Sequence, residues 1–273
     1  MRRYTARTAL LESVMVLAGL VFAFPIYVLV NLSVRGADDA SSPVAPTLSP
    51  TLANYAEAWR AAGLASALAN SVAVTVLSAL VIIIVSAMAA YPLARATGRW
   101  PRWAFLLFAL GLLLPAQLGM IPLYQSMRDL GLLGSVWSLV LFYCGLQVPF
   151  SVFLYTGFLR AVPAEYEDAA AVDGCGPVRA FFSVVLPLLR PVTGTVAILN
   201  AIFIWNDFLT PLLYLSGSSQ QTVPVAVFQF VGQYVADWQL VFAGLVISVV
   251  PILAAYFLMQ KRIIRGFAGG LKG

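Results

Sequence analysis

Four of the eleven acidic residues of this chain, Glu165, Glu167, Asp168 and Asp173, crowd into one short stretch of the run RAVPAEYEDAAAVDGCGPVRAFFSVVLPLLRP, which extends from Arg160 to Pro191. The chemistry open to them is narrowed by what the sequence lacks. There is no histidine, and the two cysteines, Cys144 and Cys175, are isolated. Zinc sites, haem-type ligation, Ser/His or Cys/His catalysis and a disulfide framework are therefore excluded, and the cysteines read as packing and surface residues. No GxxxxGK[ST] occurs, and neither lysine, Lys261 or Lys272, follows a glycine, so the chain has no P-loop for ATP. What remains is charge presented for recognition.

The local sequence says how that charge is held. Pro163 suits a first helical position, and Glu165, Glu167 and Asp168 place negative charge where the helix macrodipole favours it. Ala169, Ala170 and Ala171 add helix propensity without bulk. Gly174, just after Asp173, can end the helix in a left-handed C-cap, and Pro177 prevents easy continuation. A second helical stretch is expected from about Val178, with Pro187 and Pro191 bracketing the return to apolar sequence. The product is a compact knob with a small-residue face and an acidic edge. One reading is an amphipathic connector lying at a membrane interface. The other is a docking element, favoured because three acids at the start of a helix are unsuited to anionic lipid and suited to a basic protein groove.

A second set of polar residues lies in otherwise apolar sequence, where polar groups are costly and mark function by default. These are Gln117, Tyr143, Gln147, Asn200, Trp205, Asn206 and Asp207. Amides, a carboxylate and an aromatic face suit the passage of a polar, hydroxyl-bearing solute. The competing reading is that Asn206 and Asp207 cap or pair helices. Glu12 is close enough to a membrane edge to snorkel, and Trp100 and Trp103 read as interfacial belt.

These residues must be positioned by membrane helices. The chain is 61% hydrophobic and 10% charged, against roughly 25% charged in a soluble domain. A hydrocarbon core about 30 Å thick takes roughly 20 apolar helical residues. Six spans meet that ruler, at about 10–32, 68–91, 103–123, 136–158, 192–215 and 240–260. The first is too long for a signal-peptide core and lacks a convincing cleavage site. Thirteen of the sixteen basic residues fall on one side: Arg2, Arg3 and Arg7; Arg95, Arg99 and Arg102; Arg160, Arg179 and Arg190; and Lys261, Arg262, Arg265 and Lys272. Arg35, Arg60 and Arg128 fall on the other. Both termini and the acidic loop 159–191 are thus expected in the cytoplasm. The bases are scattered in short membrane-flanking groups, which argues against nucleic-acid binding. Residues 33–67 form an external segment whose NYAEAW end could make a short helix. Residues 216–239 form a second, broken by Gly217, Pro224 and Gly232.

The run EDAAAVDG followed by VVLPLLRP resembles the EAA loop of permease subunits of binding-protein-dependent ABC importers. The usual motif glutamate is here Asp168, preceded by Glu167. Further stretches, LANYAEAW, LANSVAVTVLSAL, AYPLAR, MIPLYQSMRDLGLLGSVWSL, FIWNDFLTPLLYL and GFAGGLKG, extend the likeness over nearly the whole chain and resemble the smaller, maltose-type six-span permease of the carbohydrate class. The resemblance implies an all-α polytopic membrane protein of type I ABC importer permease architecture, a single permease domain over 1–273 in a bacterial or archaeal cytoplasmic membrane. It implies no enzymatic activity and no bound cofactor, ATP and Mg being held by partner ATPase subunits. The implied partners are a second permease, two cytosolic ATPases, an external solute-binding protein and membrane lipid. In the coupling loop it implies roles for Glu165, Glu167, Asp168, Ala169, Ala170, Asp173, Gly174, Leu186 and Pro187. Asp168 or Glu167 would pair with a basic residue of the ATPase, Ala169, Ala170 and Gly174 would permit close approach, and Asp173 would hold the turn by a side-chain to backbone bond. Two alternatives stay open: a permease of the same superfamily importing a non-sugar solute, and an ion-coupled secondary carrier. The carrier would show inverted repeats and mid-membrane charges, and neither is evident.

Overall fold

The computed structural model describes residues 6–231 and 237–270, with side chains for all of these except 6, 116, 259 and 261–270. The bases Arg2, Arg3 and Lys272, the side chains of Lys261, Arg262 and Arg265, and the expected break at Gly232 lie outside the described residues. The elements are α1 (Ala6–Ser33), α2 (Ala53–Ala61), α3 (Leu64–Arg95), α4 (Trp100–Leu113), α5 (Ala116–Asp129), α6 (Val136–Ala161), α7 (Glu165–Val172) and α8 (Pro177–Ala180). A π-helical turn over Phe181–Val185 follows, then α9 (Leu186–Leu188), α10 (Arg190–Asn206), α11 (Leu209–Tyr214), α12 (Val223–Phe228) and α13 (Trp238–Gly270). Among the described residues four helices are long and apolar enough to cross a membrane, or up to six spans if each of two bent pairs counts as one. The chain divides into two compact units, residues 1–65 with 223–251, and residues 66–222 with 252–273.

In the first unit α1 is apolar on all sides, and none of its most apolar window is buried, which suits a helix solvated by lipid or by another subunit. The segment after it is ordered around Arg35, a residue only 3% exposed. Its guanidinium donates to the carbonyl oxygens of Ser41 (2.6 Å), Ser42 (3.0 Å) and Ala45 (2.6 Å). Asn31 reinforces the turn by donating to Pro43 and Ala45 oxygens and accepting from Thr47 N–H. Asn54 of α2 donates back to the Ser33 and Arg35 carbonyls. The expected NYAEAW helix is α2. Asp39 accepts hydrogen bonds from Ser41 and Thr47, and these, with the nearby Arg35 charge, hold its carboxyl below the usual carboxylate range. Its contribution to the loop is therefore complete above that range and is lost as pH falls through the lowered value. Replacing Arg35 by Met removes three hydrogen bonds from a buried guanidinium to loop carbonyls, Ala45 O keeping its bond from Asn31, and is expected to cost about 3 kcal/mol. Limited proteolysis should then cut within residues 36–50, and unchanged resistance would show that Arg35 does not hold this segment.

The second unit is organised by α6, which packs against α4, α5, α10 and α11. Its buried residues form two groups at helical spacing, Leu139 with Tyr143 and Val152 with Tyr155 and Leu159, and the 9-residue step between the groups turns them to opposite faces of the helix. Gly111 lets α4 approach, since a Cβ there would meet Pro149 Cγ at 3.2 Å. One apolar core joins Val74, Ile82, Phe142, Tyr143, Ile204 and Tyr214. A second joins Ala87, Ala90, Tyr155, Leu159, Phe181, Val185 and Val196.

Two of the six expected spans are not continuous helices. The stretch 103–123 is interrupted because Pro115 drives Leu114 into an extended conformation (ψ 121°), so α4 stops and α5 restarts, the two differing in direction by 101°. The stretch 192–215 is interrupted at Asp207 (ψ 125°), where α10 ends and α11 begins. The 17 residues of α10 reach roughly 25 Å, short of a full crossing. At its other end α10 meets the preceding helical segment at 72°.

Candidate functional site

The knob expected after α6 is present, with a shifted start. Pro163 lies ahead of α7, which begins at Glu165 with Ala164 as its N-cap. The Ala164 carbonyl accepts from Glu167 N (2.9 Å) and Asp168 N (3.1 Å), and all three acids fall in the first turn. The helix closes in a Schellman arrangement: Cys175 N donates to Ala170 O (2.9 Å), Gly174 N donates to Ala171 O (3.0 Å), and Gly174 has φ +79°. The expected side-chain bond from Asp173 is not made among the described residues. Backbone bonds close the turn, leaving Asp173 exposed.

The acids part company in their surroundings. Glu165 and Asp168 are exposed, and the Asp168 carboxylate has no hydrogen-bond partner among the described residues. Glu167 is turned inward. Its Oε1 accepts from Arg95 Nε (2.8 Å), and Arg95 Nη2 lies 2.8 Å from the same oxygen, while Oε2 accepts from Tyr91 O–H (3.2 Å). The rest of the Arg95 fork donates to two carbonyls at the end of α6, that of Leu159 (2.9 Å), which also accepts from Val162 N, and that of Val162 (3.0 Å). Glu167 is thus committed within the chain, and Asp168 is the acid offered outward. Ala169 is exposed, whereas Ala170 is buried and belongs to internal packing, not to the approach face.

After the turn, α8 starts at Pro177 and passes into the π-helical turn, which buries Phe181 and Val185. Leu186 and Pro187 follow in α9, both half-buried, at the base of the 72° bend. Sequence reasoning missed Arg95 and Tyr91 as members of this site. In sequence Arg95 is one of many bases flanking a span, and its place at the end of AYPLAR, with Tyr91 one turn earlier, is the signal that sets it apart.

The second set of polar residues is only partly brought together. Gln117, Asn206 and Asp207 line a recess of ≈ 440 Å³ with Met120, Phe142 and Phe203. Tyr143 is fully buried and reaches it from beneath, donating its hydroxyl to Asp207 Oδ2 (3.0 Å). Asp207 Oδ1 accepts from Thr210 N (3.3 Å), so this carboxylate both starts α11 and ties it to α6. Asn206 donates to Ile202 O (2.8 Å) and keeps its side chain exposed. Asn200 lies elsewhere, buried and donating to Ser151 Oγ (3.1 Å). Trp205 is buried outside the recess, and Gln147, half-buried, does not line it. Among the described residues no cluster of potential metal ligands occurs.

Comparison with known proteins gives a consistent picture. Residues 82–268 match the model of a family described as binding-protein-dependent transport system inner membrane component. The melibiose/raffinose/stachyose import permease protein MelC of Bacillus subtilis is 33% identical over 269 residues, 97% of this chain and 98% of that protein. The probable starch degradation products transport system permease protein AmyC of Thermoanaerobacterium thermosulfurigenes is 33% identical over 271 residues, 99% of this chain and 98% of its own. The multiple sugar-binding transport system permease protein MsmG of Streptococcus mutans is 33% identical over 257 residues, 92% of each chain. A crystal structure of a bacterial ABC transporter involved in the import of the acidic polysaccharide alginate contains a chain with the same fold, with TM-score 0.79 and 21% identity, covering 96% of this chain and 99% of that one.

Proposed function

The chain belongs to the family of binding-protein-dependent transport system inner membrane components, and from that premise we propose that it is a permease subunit of an ATP-driven sugar importer. Sugar as cargo is supported by relatives named as permeases for melibiose, raffinose and stachyose, for starch degradation products and for multiple sugars, each matching over nearly the full chain. A second permease completes the pathway, an external binding protein delivers the sugar, and two cytosolic ATPases hold ATP and Mg. With the bases placed on one side by sequence, both termini and α7 face the cytoplasm.

The observation that carries the mechanism is the division of labour in the first turn of α7. Glu167 is held by Arg95 and Tyr91, while Asp168 and Ala169 face outward. An exposed carboxylate beside a small residue, on a helix whose end is fixed by Gly174, can enter a basic groove of the ATPase and pair there. ATP-driven closure of the two ATPases then moves the helix, and the membrane helices follow. The same exposure makes the contact a device for register more than for affinity.

The recess of Gln117 and Asn206 is the part of this chain that faces the sugar. Asp207 is occupied in pairing with Tyr143 and starting α11, so its loss removes two internal bonds and cannot serve as a clean probe. Gln117→Leu and Asn206→Leu remove hydrogen-bonding capacity without touching either bond. In vesicles containing the complete importer and its binding protein, each is expected to lower uptake of one sugar several-fold, on the order of one lost hydrogen bond, relative to a second sugar. Equal uptake of both sugars at the unaltered rate would remove the recess from the pathway, and absence of ATP-dependent sugar uptake by the unaltered complex would remove the importer reading.

A further inference from the structure

We propose that Arg95 is the positioning residue that makes α7 move as one body with α3 and α6, so that force applied to α7 is delivered to two membrane helices. The inference rests on the reading of α7 as the ATPase contact, and it concerns what lies behind that contact.

α7 is short and mostly exposed, and the segments its backbone packs against closely are α8 and the π-helical turn that follow it in sequence. A knob attached only to its own continuation could rotate under load and return the energy to solvent. The Arg95 guanidinium prevents this by joining three elements at one point. It is the last residue of α3, it binds Glu167 of α7 through Nε and Nη2, and it binds two carbonyls at the end of α6 through Nη1 and Nη2. Three donated hydrogen bonds and the ion-pair contact of Nη2 leave its planar fork little freedom, a geometry that a lysine ammonium cannot reproduce. Arg95 and Glu167 side chains are 18% and 14% exposed, so water competes weakly. Of the ion pairs among the described residues this one joins elements distant in sequence, whereas Arg35 with Asp39 and Arg128 with Asp129 are local.

The clamp continues into the core. Tyr91, one turn before Arg95 on α3, donates to Glu167 Oε2, and its ring lies 5.4 Å from Phe181 in the π-helical turn. Phe181 packs in the same apolar cluster as Ala87 and Ala90 of α3, Tyr155 and Leu159 of α6 and Val196 of α10. Force entering at Asp168 is one residue from Glu167, whose carboxylate is held by Arg95 and Tyr91 of α3.

The test compares sugars moved per ATP hydrolysed in the reconstituted complex, for the unaltered chain, Arg95→Lys, Arg95→Met and Glu167→Ala. With assembly and ATP hydrolysis within about twofold of the unaltered complex, transport per ATP is expected to fall about tenfold in Arg95→Met, the scale of one charge-assisted hydrogen bond. Arg95→Lys should recover only part of it. The double change Arg95→Met with Glu167→Ala should lose far less than the product of the two single losses, because both break the same Arg95–Glu167 linkage. An unchanged ratio in Arg95→Met, full recovery in Arg95→Lys, or a double loss equal to the product of the singles would overturn the proposal. If Arg95→Met fails to assemble, Arg95→Lys and Glu167→Ala are read alone, and an unchanged ratio in both overturns it. Failure of the unaltered complex to move sugar on ATP would instead overturn the importer reading on which this inference stands.

Discussion

Reversing the charge at Asp168, as Asp168→Arg, is expected to lower ATP-driven sugar uptake at least about tenfold while leaving the amount of inserted protein unchanged. The reason is the location of this carboxylate. It is exposed and has no hydrogen-bond or ion-pair partner among the described residues, so its replacement breaks no internal bond there and opens no cavity. Against a basic groove an arginine substitutes repulsion for attraction, and like-charge juxtaposition at a docking face costs several kcal/mol. A matching acidic substitution of the facing base on the ATPase should restore part of the uptake. Glu167→Arg makes an informative contrast: it places a cation against Arg95 and should destabilise the loop itself, visible as proteolysis near residues 159–176. Normal uptake by Asp168→Arg in a complex of normal composition would show that this acid does not meet the ATPase.

Gly174→Val is expected to have the second large effect, and for a different physical reason. At φ +79° an L side chain is strained, most of all a β-branched one, whereas a Cβ at this position would meet nothing within 4 Å. The penalty is therefore conformational, about 1–2 kcal/mol, and falls on the Schellman end of α7. The turn that sends the chain from α7 into α8 would open, and uptake should fall about five- to thirtyfold by that penalty, with ATP hydrolysis less affected. Gly174→Asn, a residue that tolerates the left-handed region, should lose far less. Equal losses in both would point to a steric contact with the partner in place of strain.

Much of this was legible in sequence because it depends on local rules. The acidic start of α7, its glycine stop and the proline that follows are signals read from neighbouring residues, as are the four continuous apolar helices. The broken spans were harder. Apolar length alone merged α4 with α5 and α10 with α11, although Pro115 and Asp207 carried the interruption in plain view, because a hydropathy ruler does not weigh backbone conformation. The commitment of Glu167 to Arg95 was not legible. It joins residues 72 positions apart, and nothing local distinguishes Glu167 from Asp168. Which of two adjacent acids faces the protein interior follows from the helix phase, and that phase is set by Ala170 packing inward. Asp207 was readable as either a sugar ligand or a helix cap, and its bonds to Tyr143 and Thr210 favour the second role.

The central claim, that α7 is where this permease meets its ATPase, is tested most directly by disulfide cross-linking in the assembled complex. With Cys144 and Cys175 replaced by serine, a cysteine is placed at Val172, which is 88% exposed, or at Ala170, which is 7% exposed. A series of cysteines lines the ATPase surface opposite. Cross-links to the ATPase are expected from position 172 and not from position 170, with a yield that changes when ATP is added. Absence of any cross-link from position 172, in a complex that still moves sugar at the expense of ATP, would contradict the account.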